Sequence, residues 1–417
     1  MRPAAPSLVV LFLTVFIDLM GFGIVIPLLP IYAERMQATP FAAGALIAVY
    51  SLMQLIFAPV WGRISDRIGR RPVILVSLAG SAASYLLLGA AGSLSMLFAG
   101  RVLAGVAGAN IPVAQAYIAD VTSEADRARG MGLVGAAFGL GMVIGPALGG
   151  ALSLLGPRVP ECFAAALCLA NVAIAARRLP ESLPRGARRV DEFRHPLAPA
   201  SLRDSVARPG AATLVTVFFL VTLCFAVLEG TFSLVAAHRH GYSAAEVAML
   251  WLYMGAVAVV VQGWLVGRLA RRSPERALVV AGSAALAVGL LWVPVASRPV
   301  GLLTALALVV GGQGLASPSL ASLISKTVGT DLRGEALGVS QALSAGARVL
   351  GPAGGGLALD RLGAGAAYLL AASCAAGAFA LTASAARAGG RLGARPSDAS
   401  GSLRKSLPSF SDCDKGP

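Results

Sequence analysis

Charge is scarce in this chain. Asp, Glu, Lys and Arg make up 13% of its 417 residues, where soluble domains carry roughly 25%. Histidine is limited to His195, His238 and His240, which read as solvated loop residues. The five cysteines, Cys162, Cys168, Cys224, Cys374 and Cys413, contain no CxxC pair. That spacing indicates neither a zinc site nor a disulfide framework. No GxxxxGK[ST] loop is present, so direct ATP drive is not expected. No nucleophile and base stand together, and no metal-ligand set does, so neither an enzyme nor a cofactor is expected. The net charge of +14 would suit nucleic acid, but the basic residues form no face interleaved with aromatics, which are only 6% of the chain.

What is abundant is apolar. Hydrophobic residues are 57% of the chain and the mean hydropathy is +0.77. A bilayer core of ~30 Å needs ~20 helical residues, and twelve such stretches can be counted. They are 8–33, 43–62, 73–92, 95–118, 128–153, 161–178, 211–236, 243–267, 277–297, 300–325, 334–358 and 365–388. The first contains Asp18 and two prolines and lacks a following small-residue cleavage site, so it reads as a retained helix and not as a secretory signal.

Charge placement gives an orientation. With both termini on one side, five basic residues fall in the opposite loops: Arg35, Arg158, Arg239, Arg298 and Arg361. Arg101 and Arg348 fall inside spans, and the remaining 27 of 34 lie on the side of the termini. The positive-inside rule then predicts cytoplasmic termini, as in a multi-pass protein of a bacterial inner membrane. The expected organisation is a six-helix bundle over 1–178, a cytoplasmic linker over 179–210, a second bundle over 211–388 and a disordered tail over 389–417.

The second half repeats the first. At an offset of 206, Gly105, Gly108 and Pro112 match Gly311, Gly314 and Pro318. At the same offset Arg127 and Gly132 match Arg333 and Gly338, and Gly145, Pro146, Gly149 and Gly150 match Gly351, Pro352, Gly355 and Gly356. At an offset of 201, Gly62, Arg67, Arg70 and Arg71 match Gly263, Arg268, Arg271 and Arg272. Two parallel repeats imply a pseudo-two-fold axis along the membrane normal, with a solute site between the halves near the midplane.

The motifs themselves resemble a known family. Gly62-Arg-Ile-Ser-Asp-Arg-Ile-Gly-Arg-Arg-Pro72 is similar to motif A of the major facilitator superfamily, in the same loop between the second and third spans. Gly141-Met-Val-Ile-Gly-Pro-Ala-Leu-Gly-Gly150 resembles that superfamily's antiporter motif GxxxGPxxGG, and Arg101-Val-Leu-Ala-Gly105 its buried-arginine motif. Phe16 to Pro27 looks like the drug:proton antiporter branch. Ala48 to Pro59 and Ala119-Asp-Val-Thr122 are most similar to tetracycline efflux antiporters. Those antiporters carry an aspartate where this chain has Ser84, and another in the ninth span, where 277–297 has no acid. The resemblance therefore implies the twelve-helix all-α fold and drug-type efflux, without extending to tetracycline itself.

The motifs assign candidate residues. Gly62, Asp66, Arg67, Gly69, Arg70, Arg71 and Asp120 form an expected gate latch. Asp66 would meet a helix N-terminus, where an anion is stabilised; the resemblance assigns that helix to the eleventh span. Arg70 would pair with Asp120, and the latch would hold the outward-facing state. Gly267 stands where the repeat would need a second Asp66, so a second latch should be weaker. Gly141, Gly145, Pro146, Gly149 and Gly150 predict a closely packed, kinked fifth span that limits leak.

Ionisable groups inside a bilayer are costly and mark function. Asp18, ~15 Å along the first span, is the expected proton carrier, with Arg101 and Glu229 as coupling partners. A structural acid and a solvated helix end are the competing readings of Asp18 and Glu229. Phe22, Tyr50, Gln54, Gln115, Gln341, Ser344 and Arg348 are the expected substrate cavity. The function read from all this is proton-coupled antiport of a small solute by a monomer in the lipid bilayer, with no nucleic-acid partner. An importing symporter or uniporter, and a transport-inactive receptor or scaffold, remain the alternatives.

Overall fold

In a computed structural model, the structure describes residues 4–122, 137, 140–141, 143–183 and 210–387. The first part of the expected span 128–153, most of the linker with His195, and the tail with Cys413 lie outside the described residues. Among the described residues the chain is all helix, with no strand.

Ten helical stretches are long and apolar enough to cross a membrane. They follow the hydrophobic runs closely: Leu8–Arg35, Pro40–Ile68, Arg70–Gly89, Leu94–Val121, Val159–Arg178, Ala211–His240, Ala244–Leu269, Glu275–Val295, Pro299–Thr327 and Gly338–Ala385. Within them we label α1 (Ala4–Val25), α2 (Leu29–Arg35), α3 (Pro40–Ile68), α4 (Arg70–Gly89), α5 (Leu94–Ala107) and α6 (Ile111–Val121). The apolar helix Val143–Ser153 is α7, followed by α8 (Val159–Arg178), α9 (Ala211–His240), α10 (Ala244–Val260), α11 (Glu275–Trp292) and α12 (Pro299–Arg387).

Local chemistry sets many of the ends. Thr39, Ser93 and Ser243 accept a backbone N–H at the starts of α3, α5 and α10, and Ser243 forms a full capping box with Glu246. Between α3 and α4 the chain reverses on Gly69, whose φ of +111° no L side chain adopts readily. Two spans were broken where one helix each was expected: the first pauses at residues 26–28, before Leu29–Arg35, and the fourth at residues 108–110, before Pro112. Proline in the first turn of α2 and of α6 suits a new helix start.

α12 differs most from expectation. Three expected spans, 300–325, 334–358 and 365–388, fall in one continuous helical stretch of 89 residues. A straight helix of that length would be ~130 Å long. Yet Leu302, Leu306 and Ile324 share one core with Ala358, Ala371 and Ala378, so the stretch doubles back on itself. Gly363, at φ +83°, lies within it. His238 and His240 also depart from the loop reading, since both sit in the last turn of α9.

Three apolar cores hold the bundle. One is built from α9 to α12 with Ile31 of α2. The other two come from the helices before residue 180, and Leu234 of α9 enters one of them. Large side chains such as Val9, Leu154, Trp264 and Leu369 stay exposed around the outside, as a lipid-facing surface requires.

Candidate functional site

Asp18 sits on α1 in the interior, lining a cleft with Phe22, Tyr50, Ser81, Ser84, Tyr85, Ala104 and Gly108. Its hydrogen-bonding neighbours are weak or neutral: the Asn110 amide donates to Oδ2 over 3.5 Å, and Ser81 faces it from α4. Among the described residues no cation pairs with it.

Arg101 is 1% exposed and lies on α5 beside the same cleft. Its Nε donates to the Leu46 carbonyl at 3.1 Å, and its guanidinium stands 4.4 Å over the Tyr50 ring and 6.0 Å from that of Phe22. Nη2 has no hydrogen-bond partner. The Phe22 and Tyr50 rings pack at a tilt, with centroids 5.0 Å apart. Gln54 fixes Tyr50 by donating to its hydroxyl at 2.9 Å and to the Gly108 carbonyl at 3.0 Å. Asp18 and Arg101 therefore do not form an ion pair. An aromatic pair stands beside both, with Tyr50 within electrostatic reach of each.

Tyr50 also feels Arg348 of α12, and Arg348 faces Glu229 of α9. One tyrosine thus links charged groups from α1, α5 and α12. Ser344, one turn before Arg348, is buried and lies 3.4 Å from the Thr222 hydroxyl. Gln115 and Gln341 are exposed and outside this buried cluster.

Around Arg70 a second polar cluster forms at the α3–α4 turn. Arg70 pairs with Asp66 at 2.6 Å and Asp120 at 3.2 Å, and donates to Ser65 at 2.6 Å. Asp66, 47% exposed, finds its ion pair four residues on, across the α3–α4 turn. Glu181 completes the cluster. Its carboxylate accepts from the backbone N–H of Arg70 at 2.8 Å and of Arg71 at 3.2 Å, capping α4. Ser182 donates to Asp120 at 2.9 Å, and Arg71 donates to the Ala176 carbonyl. So the first residues of the expected linker are docked, not free. In the repeat, Arg268, the counterpart of Arg67, stacks over Trp264 at 5.3 Å.

The glycine motif of α7 packs against backbone. A Cβ added at Gly145 would come 2.8 Å from Gly23, and one at Gly141 3.0 Å from Leu19. Gly150 looks elsewhere: its Cβ would stop 2.5 Å from that of Ala248 on α10. The second copy does the same at matching positions. Gly351 and Gly355 press on Leu223, Ala226 and Val227 of α9, while Gly356 presses on Pro40 and Phe41 of α3. Pro352 also touches Gly44 of α3 and Gly230 of α9.

Sequence reasoning missed several of these residues. Ser81, Ser84 and Tyr85 recur at helical spacing on one face of α4 and could have been found that way. Asn110 lies in the break between α5 and α6, and Glu181 in a segment with no periodicity, so neither carried a signal.

Comparison with known proteins agrees with this architecture. The family model for the Major Facilitator Superfamily matches residues 11–352. A tetracycline resistance protein, class C, of Escherichia coli is 35% identical over 83% of this chain and 88% of its own. Multidrug resistance protein 2 of Bacillus subtilis is 29% identical over 84% of this chain and 88% of its own. Among solved structures, the human organic anion transporter MFSD10 (TETRAN) superposes with a TM-score of 0.69 at 26% identity, over 92% of this chain and all of the other. By its motifs, its helical fold and this match over most of its length, the chain is a multi-pass membrane transporter, not an enzyme, and belongs to the major facilitator superfamily.

Proposed function

We propose that this transporter is a proton-coupled antiporter that exports a small drug-like or metabolite solute. The observation that carries this is Asp18: a carboxylate in the interior cleft, beside two tyrosines and with no cation paired to it. A group so placed exchanges a proton as its surroundings change, because burial disfavours the charged form and a nearby cation or solvent favours it. Arg101 and Arg348, both within reach of Tyr50, are the cations whose approach would drive release.

The chain is read as twelve crossings in two six-helix halves, 1–178 and 211–388, with both termini cytoplasmic. The doubling back of α12 supports counting it as three crossings. Contacts between the halves support an alternating-access mechanism. They are tight where Gly44 meets Pro352 and Gly356 and where Gly150 meets Ala248, and Glu34 pairs with His238 nearby. We read this as the state closed to the outside and open to the cytoplasm, with the Asp66–Arg70–Asp120 cluster as a latch not engaged across the halves. Names of the relatives favour efflux of drug-type compounds.

The test is proton release from energised inside-out vesicles on adding candidate drugs and metabolites, with Asp18→Asn alongside wild type. Substrate-triggered release in wild type, absent in the variant, is expected. Solute movement without release in wild type would replace antiport by import or uniport. Unchanged release in Asp18→Asn would make Asp18 a structural acid and move the role to Glu229.

A further inference from the structure

A second acid lies inside the bundle, away from the cleft. Glu161, in the first turn of α8, is only 3% exposed. Its Cβ contacts Gly89 at the C-terminal end of α4, and its Oε2 has no hydrogen-bond partner. Tyr32 of α2 is buried beside it within electrostatic reach, and the Tyr32 hydroxyl is also without a partner. The surrounding core is apolar, with Leu29, Leu88, Ala164 and Ala165.

The charged groups nearby do not neutralise it. Arg35 stands 5.7 Å over the Tyr32 ring, Arg158 at the start of α8 is exposed and makes no side-chain cap bond, and Glu34 is engaged with His238. Among the described residues Glu161 makes no ion pair. The other ionisable neighbour on α8 is Cys162, exposed beside Gly89. An ionised carboxylate in such a place costs several kcal/mol unless something binds it, and the buried Tyr32 hydroxyl, also unpartnered and within electrostatic reach, adds a second polar group to the site.

We propose that Glu161, with the Tyr32 hydroxyl, is a second proton-binding site. α4 relates it to the first: Ser81 faces Asp18, and Gly89, ~12 Å further along the helix, touches Glu161. Cys168, within electrostatic reach of Asp18, lies two turns after Glu161 on α8. On the orientation given above, Glu161 stands between Asp18 and the outside, where it takes up a proton from bulk water at the outer surface and returns it there. The proposal uses that reading for its direction only; the binding site itself stands on the geometry of α2, α4 and α8.

The test is pH-difference infrared spectroscopy of the full-length protein in lipid. Wild type is expected to show the C=O band of a protonated, water-shielded carboxylic acid that titrates with pH and is missing in Glu161→Gln. Tyr32→Phe, which deletes one oxygen, should shift that band. Spectra of wild type and Glu161→Gln that superimpose would overturn the proposal. Sodium or potassium at fixed pH reproducing the change would overturn the proton as ligand. If Glu161→Gln does not fold, an unmoved band in Tyr32→Phe overturns the paired site by itself. Asp18→Asn leaves this band in place, so failure of antiport and failure of this site are read separately.

Discussion

Consider Gly150→Val. Gly150 is the residue of the α7 motif that faces α10, and even a single Cβ there would lie 2.5 Å from the Ala248 Cβ. Ordinary contact between such carbons is ~3.5–4 Å, so α7 and α10 must separate by about 1 Å for alanine and by more for valine. Overpacking of this kind costs roughly 1–3 kcal/mol. The cost falls on the closed arrangement alone, since helices that have moved apart do not meet. A penalty on one state of two shifts their ratio by roughly 5- to 150-fold. Spin labels at Leu154 and Arg239, both exposed near this end of α7 and α9, would report the change as a distance distribution moved to longer values. Gly62→Val is the control, because a Cβ there meets nothing within 4 Å; its distribution should match wild type. A folded Gly150→Val protein with the wild-type distribution would refute the claim that this contact closes the outer end.

Two further substitutions test other parts of the site. Glu181→Ala removes the carboxylate that caps α4 from beyond α8, so thermal unfolding in detergent should show a loss of about 1 kcal/mol, the ordinary worth of a cap; an unchanged midpoint would make the docking incidental. Arg101→Ala removes a desolvated cation from the Tyr50 face, an interaction worth about 2 kcal/mol or roughly thirty-fold in an equilibrium. Substrate-triggered proton release should then fall at least that far with the protein still folded. Lysine should rescue only part, since it lacks the fork that bonds the Leu46 carbonyl.

Run length alone located most helices, because a bilayer leaves little choice. Twenty apolar residues with their backbone groups paired must be helical there, and Ala211–His240 or Glu275–Val295 could scarcely be anything else. The breaks before Leu29 and Pro112 were harder, since apolar composition continues straight through them. Helix ends also ran past the hydrophobic runs, as where α3 continues to Ile68 over Asp66 and Arg67. Asp66 is served by the cluster around Arg70, which reaches Asp120 and Glu181 outside any local window. Asp18 and Arg101 stood out as charges in apolar runs. Their relation did not, because it depends on Phe22 and Tyr50 standing between helices whose rotation the sequence leaves open. Glu161 escaped notice for a related reason: at the edge of an apolar run an acid reads as a solvated helix end, and only the packing of α2 and α4 over it removes the water.

The repeated glycines carry the argument furthest. Gly145 and Gly351 are 206 residues apart, and each presses on the helix that opens its own half, Met20 and Gly23 in one case and Leu223 and Ala226 in the other. Gly150 and Gly356, at the same spacing, each turn to the opposite half, toward Ala248 and toward Pro40. Small residues permit that approach because nothing but a hydrogen occupies the face. The same face therefore binds a helix within a half and meets a helix across the divide. On the alternating-access mechanism proposed above, a half would tilt as a rigid piece with its internal contact kept, while the contact across the divide is made and broken in the same movement. Had only α7 carried the motif, one side of the seam would close on glycine and the other on bulkier side chains, and the halves could not come together evenly. Duplication of the pattern in α12 gives both sides the same clearance.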